Sequence, residues 1–203
     1  MVSIVKTIIL LGDGGVGKSS LIMRYISDRF MEEYDPTIEE SFYKNVDTTN
    51  GPLKLEILDT AGQDDFSAIR QEYYRKADGV IGVFDVNNLM TFIKLKDFWQ
   101  EIIEERSNDK KPLPPIIVAG NKIDVDPKLD FNTDPNFDDV KQWLTNISIN
   151  NSYVNIDILY TSAKNDKNVN DLFIKIIDLI INIPSKTLHN PEPHGKKNKC
   201  ILF

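Results

Sequence analysis

The sequence predicts an α/β fold: a mostly parallel six-stranded sheet with helices on both faces and one antiparallel edge strand. Three observations carry this. A short continuous apolar run at residues 7–11 reads as a strand buried on both faces, and residues 80–86 and 116–119 as further buried strands. Segments with apolar residues at helical spacing alternate with them, the pattern of a parallel sheet joined by crossover helices. Two stretches of alternating apolar and polar residues, 41–46 and 53–58, flank Asn50-Gly51, a hairpin signal that makes one strand antiparallel.

The elements follow in order. Thr7-Ile8-Ile9-Leu10-Leu11 is the first strand, ended by a glycine-rich loop. Residues 19–26 form a helix with Leu21, Ile22, Tyr25 and Ile26 on one face. Residues 28–39, which contain Asp35-Pro36, read as a loop. After the hairpin come a strand over 80–86, a helix over 91–105, a strand over 116–119, a helix over 138–147 and a strand over 156–160. Val169, Leu172, Phe173, Ile176, Ile177 and Ile180 then recur at helical spacing and form a last amphipathic helix. Residues 126–139 are polar, contain two prolines and read as a surface insertion, and the asparagine-rich 146–155 reads as a loop. From 185 the apolar periodicity ends, so 1–184 is one domain and 185–203 a flexible tail.

Composition narrows the function classes. A chain of 203 residues suits one domain with a good core plus a tail. The net charge of −7 argues against a nucleic-acid binder, which needs an excess of Lys and Arg to meet phosphates. Cys200 is the one cysteine, so no disulfide forms within the chain, in keeping with a reducing compartment. The apolar run at 8–11 is too short for a signal-peptide core, and Val2 stands where N-myristoylation needs glycine. The expectation is a protein that stays on the cytosolic side and meets membranes, if at all, through its other end.

Gly12-Asp13-Gly14-Gly15-Val16-Gly17-Lys18-Ser19 lies between an apolar strand and a helix. It has the spacing of a phosphate-binding loop. Glycines let successive backbone N–H groups point at one anion, and the helix N-terminus adds partial positive charge. Lys18 brings a cation to the outer phosphates, Ser19 a hydroxyl to Mg²⁺, and Ser20 follows in the first helical turn. The loop alone leaves ATP and GTP equally open.

Three further strand ends add chemistry. Asp59, at the end of the strand over 53–58, suits Mg²⁺ coordination, directly or through water. Gly62 can offer its N–H to a terminal phosphate, and Gln63 can orient a water for in-line attack. Thr37, after Asp35-Pro36, has a hydroxyl that can complete the Mg²⁺ shell. Gly120-Asn121-Lys122-Ile123-Asp124 follows the strand over 116–119. A guanine ring presents two adjacent donors that one carboxylate, Asp124, accepts together, whereas adenine would leave that carboxylate desolvated and unpaired. Lys122 can lay its aliphatic stem along the purine, and Asn121 can tie neighbouring loops together. Tyr160-Thr161-Ser162-Ala163-Lys164 ends the last strand and can offer N–H groups to the guanine carbonyl.

These motifs, in this order, resemble the Ras family of small GTPases over roughly residues 5–184, and Tyr34-Asp35-Pro36-Thr37-Ile38-Glu39-Glu40-Ser41 looks like the Ras-type effector loop. The resemblance implies a P-loop NTPase fold, the Ras-like G domain, with GTP/GDP and Mg²⁺ as cofactors and slow hydrolysis of GTP to GDP. It assigns Mg²⁺ to Ser19, Thr37 and Asp59. It assigns nucleotide contacts to Gly14, Gly15, Val16, Gly17, Lys18, Ser19, Ser20, Phe30, Asp59, Gly62, Asn121, Lys122, Asp124, Ser162, Ala163 and Lys164. Catalysis falls to Gln63, Lys18, Thr37 and Gly62, and Phe30 matches the aromatic residue that packs on guanine. The implied partners are effectors that bind the GTP form, a nucleotide exchange factor, and a GTPase-activating protein that supplies an arginine. Gln63 keeps the chain nearer Ras proper than Rap-type members, which usually have Thr there. Two departures stand out: 126–139 is longer than in typical Ras proteins, and Asp64-Asp65 replace the usual pair of glutamates.

The terminus Cys200-Ile201-Leu202-Phe203 has the form of a prenylation box, in which the final Phe favours geranylgeranyl. Lys196, Lys197 and Lys199 precede it. The expectation is lipid anchoring through Cys200 on the cytoplasmic face of membranes, the plasma membrane foremost. Two other classes compete. A P-loop kinase or ATPase would share the loop, but Asp124 and the lack of a recognisable substrate lid speak against it. A nucleotide-locked scaffold would not need Lys18, Thr37 and Gln63 intact.

Overall fold

Residues 8–11 are each buried to within 2% of full burial, because both faces of the strand they form are covered. In the computed structural model this strand, β1 (Ile4–Leu11), stands inside a six-stranded sheet. The structure describes residues 4–30, 39–60, 67–126, 128–131, 133–150 and 156–182. The other elements are α1 (Lys18–Ser27), β2 (Glu39–Thr48), β3 (Gly51–Thr60), α2 (Ser67–Lys76), β4 (Gly79–Asp85), α3 (Met90–Asn108), β5 (Ile116–Asn121), α4 (Asp138–Asn150), β6 (Ile156–Tyr160) and α5 (Val169–Ile181). A 3-10 turn, Pro135–Phe137, leads into α4.

The sheet order is β2-β3-β1-β4-β5-β6, with β2 antiparallel at one edge and every other pairing parallel. This is the α/β architecture expected from the sequence. Period-two alternation sends Ile8 and Leu10 to a core built with α1 and α5, and Ile9 and Leu11 to a second core built with α2, α3 and α4. Helices therefore cover both faces. On the first side Tyr25 of α1 stacks on Phe173 of α5 with centroids 3.9 Å apart and planes 7° from parallel. β1 pairs with β3 on one side and β4 on the other, so the chain changes direction across the sheet at β1. Ligands of open α/β sheets gather beyond the carboxyl ends of strands at such a point.

Four local expectations need correction. α2 was not legible, because its sequence is rich in Arg, Lys, Gln and Glu; its hold on the core comes from Tyr73, Tyr74 and the following Ala77. Residues 146–150 continue α4 instead of forming a loop, since Ile147 keeps the helix facing the core and Ser148 Oγ donates to Leu144 O at 3.0 Å. The segment 126–139 is not merely a surface insertion: Phe137 is buried, and Leu129 and Phe131 pack against the second core. The hairpin exists, but its two turn residues are Thr49 and Asn50, with Thr48 opposite Gly51 and the positive φ of 106° on Gly51. The 151–155 part of the expected loop and the tail 185–203 lie outside the described residues.

Candidate functional site

The loop after β1 is shaped by two close approaches. A Cβ on Gly12 would stand 2.1 Å from Val83 O of β4, and one on Gly17 would stand 2.4 Å from Asn121 Nδ2. Gly17 also has φ 97° and sits at the N-terminus of α1, where Leu21 N donates back to its carbonyl at 3.0 Å. Glycine is the residue that meets both demands at Gly17. A Cβ on Gly14 or Gly15 would meet nothing within 4 Å among the described residues. Ser19 and Ser20 lie in the first turn of α1.

Lys18 is buried, and its Nζ donates to Gly12 O at 2.8 Å and Asp13 O at 3.0 Å. Burial draws its pKa down to about 8, against the opposing fields of Asp59 and Asp13. Asp59 is itself 1% exposed at the carboxyl end of β3. Its carboxylate and the Ser19 hydroxyl are hard oxygen donors of the kind Mg²⁺ takes. Among the described residues no group of three or more His, Cys, Asp or Glu forms a metal cage. The two oxygen donors fit Mg²⁺.

The side expected to read the base is joined to the glycine loop through Asn121, which is 1% exposed. Its Nδ2 donates to Val16 O at 2.9 Å, and its Oδ1 accepts from Thr161 Oγ1 at 3.1 Å. Thr161 N donates to Gly120 O at 2.8 Å, and Ile123 N donates to Thr161 O at 3.2 Å. Ser162 Oγ donates to Asp124 Oδ1 at 2.5 Å and holds that carboxylate. Lys122, with φ 68°, pairs through Nζ with Asp85 Oδ2 at 2.7 Å. Burial works against the charge on Asp85, but the bonds from Lys122 and Asn87 win and hold its carboxyl below the usual range. Phe30, after α1, is half-buried against the first core.

The structure thus brings Gly14, Gly15, Val16, Gly17, Lys18, Ser19, Asp59, Asn121, Lys122, Asp124, Ser162, Ala163 and Lys164 to one edge of one sheet. Glu39, Glu40 and Ser41 lie on β2 opposite Thr60, Asp59 and Leu58. Tyr34, Asp35, Pro36, Thr37, Ile38, Gly62, Gln63 and Cys200 lie outside the described residues. Ser162 N donates to Lys167 O at 3.1 Å, so its N–H is already engaged within the loop. Two members of the site were not read from sequence. Arg24 of α1 donates to Ala163 O at 3.0 Å and to Lys164 O at 3.2 Å, a link across about 140 residues that leaves no local signal. Asp85 was readable by the rule that singled out Asp59, an acidic residue at the carboxyl end of a parallel strand.

Gly17→Ala is expected to lower nucleotide affinity by about 10²-fold or more while the fold survives, because the added methyl displaces Asn121 and strains a left-handed backbone. Calorimetric titration of GDP beside far-ultraviolet dichroism checks this, and an unchanged affinity would refute it.

The fold and this loop define a P-loop nucleotide-binding protein. A family model described as the Ras family matches residues 7–182. The chain is 34% identical to the Ras-like protein rasB of Dictyostelium discoideum over 192 residues, covering 95% of this chain and 88% of that protein. It is 31% identical to the Ras-related protein Ral-B of Mus musculus over 196 residues, covering 96% and 87%. The chain belongs to the Ras family of small GTPases. It is a GTP hydrolase and a GTP-binding switch that takes GTP and GDP, with effectors, exchange factors and activating proteins as its general classes of partner.

Proposed function

We propose that this protein is a signal-transducing switch that hydrolyses GTP slowly alone and quickly when an activating protein lends it an arginine. The observation that carries this reading is the register of β2 on β3, in which Glu40 stands directly opposite Asp59. The end of the proposed effector segment is therefore one rung of the ladder from the residue proposed to hold Mg²⁺. A change at the terminal phosphate has a short path to the effector surface.

In this mechanism Lys18 and the loop N–H groups stabilise charge on the outer phosphates, and Gln63 positions the attacking water. Gly62 offers an N–H to the γ-phosphate. Ser19, Asp59 and the hydroxyl of Thr37 would hold Mg²⁺. When bound, the ion neutralises charge on the β- and γ-oxygens. Asp124 accepts both guanine donors while Ser162 Oγ keeps the carboxylate aimed. With the Thr161 and Ser162 N–H groups engaged elsewhere, the guanine carbonyl falls to those of Ala163 and Lys164. Phe30 and the Lys122 stem pack on the base. An activating arginine is worth about 10⁵-fold in Ras, a figure that belongs to Ras and not to this chain. Single-turnover phosphate release from GTP-loaded protein tests the reading: it is expected to be slow alone and strongly accelerated by an activating protein. Fast release indifferent to activators would overturn it.

The tail reading is part of the proposal. Prenylation of Cys200, helped by Lys196, Lys197 and Lys199 at about 1 kcal/mol each on an anionic leaflet, would hold the domain on the cytoplasmic face of a membrane, the plasma membrane foremost. Cys200→Ser is expected to move most of the protein from the membrane to the soluble fraction of cells. Unchanged fractionation would refute the anchor.

A further inference from the structure

We infer that the segment 126–139 is a brace for the two guanine-reading loops and that Phe131 is a positioning residue that restrains nucleotide release. The inference rests on the proposed roles of Asp124 and of 162–164.

The described residues of the segment make local turns. Asp126 Oδ1 accepts from Lys128 N at 3.0 Å, Asp130 O accepts from Asp134 N at 2.9 Å, and Asp134 Oδ1 caps the 3-10 turn through Asn136 N at 2.9 Å. These turns hold two rings edge to face, Phe131 and Phe137, with centroids 5.1 Å apart and planes at 84°. Both rings converge on Tyr160. Phe131 lies flat on it, with centroids 3.7 Å apart and planes 11° from parallel, and Phe137 meets it edge-on at 6.2 Å.

Tyr160 is the last residue of β6, and both base-reading loops depart beside it. Thr161, next in the chain, is bonded to Gly120 and Asn121, and Ser162 after it holds Asp124. The Tyr160 ring also covers Gly120 on the neighbouring strand, where a Cβ would come within 2.7 Å of its Cδ1. Gripping this one ring therefore steadies the strand ends that feed Asn121-Lys122-Ile123-Asp124 and Ser162-Ala163-Lys164 together. Nucleotide leaves when these loops part from the base. A brace on them is felt in the release rate and in how well Asp124 reads the exocyclic amine of guanine.

The test uses the full chain loaded with fluorescent GDP and chased with unlabelled GDP. Phe131→Ala is expected to speed release about tenfold, equivalent to about 1.4 kcal/mol. The preference for GDP over inosine diphosphate, which lacks the exocyclic amine, is expected to fall about threefold or more. Phe131→Tyr, which keeps the flat stack, is expected to restore both. Unchanged release together with a lowered unfolding midpoint would overturn the inference, because the segment would then serve stability alone. An equal loss for both nucleotides would also overturn it, since the loosening would not be at the base. If instead Asp124→Asn leaves GDP preference intact, the guanine reading itself fails, a result distinct from either of these.

Discussion

Gln63→Leu is expected to leave the protein filled with GTP. Gln63, proposed to position the attacking water, has an amide donor and acceptor for it, and leucine has neither. The loss is confined to the transition state. The cradle contacts from Gly17, Lys18 and the loop backbone do not pass through residue 63, so GTP and GDP affinities are expected to stay within about twofold of the parent, and a change that leaves binding intact but lowers turnover marks an interaction made in the transition state. The effect is largest with an activating protein present, because an incoming arginine and the oriented water act as one unit. The stimulated rate is expected to fall about 10⁴-fold or more. Single-turnover phosphate release with saturating activating protein measures this. A rate matching the parent would sink the assignment of Gln63.

Asp124→Asn is expected to cost GDP affinity on the order of 10³-fold. Two hydrogen bonds to a charged acceptor are exchanged for one neutral acceptor and one donor facing a donor, at about 1.5–3 kcal/mol for each charged bond. The same change predicts a gain. Xanthine keeps the N1–H of guanine but carries a carbonyl where guanine has its amine, so the asparagine oxygen and nitrogen complement it. The rest of the site is expected to hold, because Ser162 Oγ, 2.5 Å from Asp124 Oδ1, finds an acceptor in the amide oxygen as well. Competition between guanosine and xanthosine diphosphates on the variant decides. Equal preference before and after the exchange would remove Asp124 from base reading.

Both predictions start from motifs that were readable without coordinates, and the reason is chemical. The runs from Asp59 to Gln63 and from Asn121 to Asp124 are each contiguous, so the spacing of residue types points to their chemistry. The strands were readable because burial on two faces demands unbroken apolar runs, as at Ile8, Ile9, Leu10 and Leu11. α2 was not, because its surface is charged and its contact with the core rests on Tyr73, Tyr74 and Ala77. The end of α4 was misread for a similar reason: asparagine has weak helix propensity, and packing of Ile147 overrode it.

The sequence by itself determined the chemistry expected of this protein: a loop with phosphate-binding spacing, a carboxylate proposed to select guanine, and a Ras-family chain to carry them. It did so because backbone loops that embrace a ligand are written in consecutive residues. Only the tertiary structure decided how the pieces act together. Asn121 joins Val16 to Thr161, Arg24 reaches Ala163 and Lys164, Glu40 stands opposite Asp59, and Phe131 lies on Tyr160. Most of these links cross long stretches of chain, and each depends on strand register or a side-chain direction that no local pattern encodes. The segment 126–139 shows the difference most clearly. Its polar composition says surface, while the folded chain turns two of its aromatic rings inward onto the strand that ends at the base-reading loop.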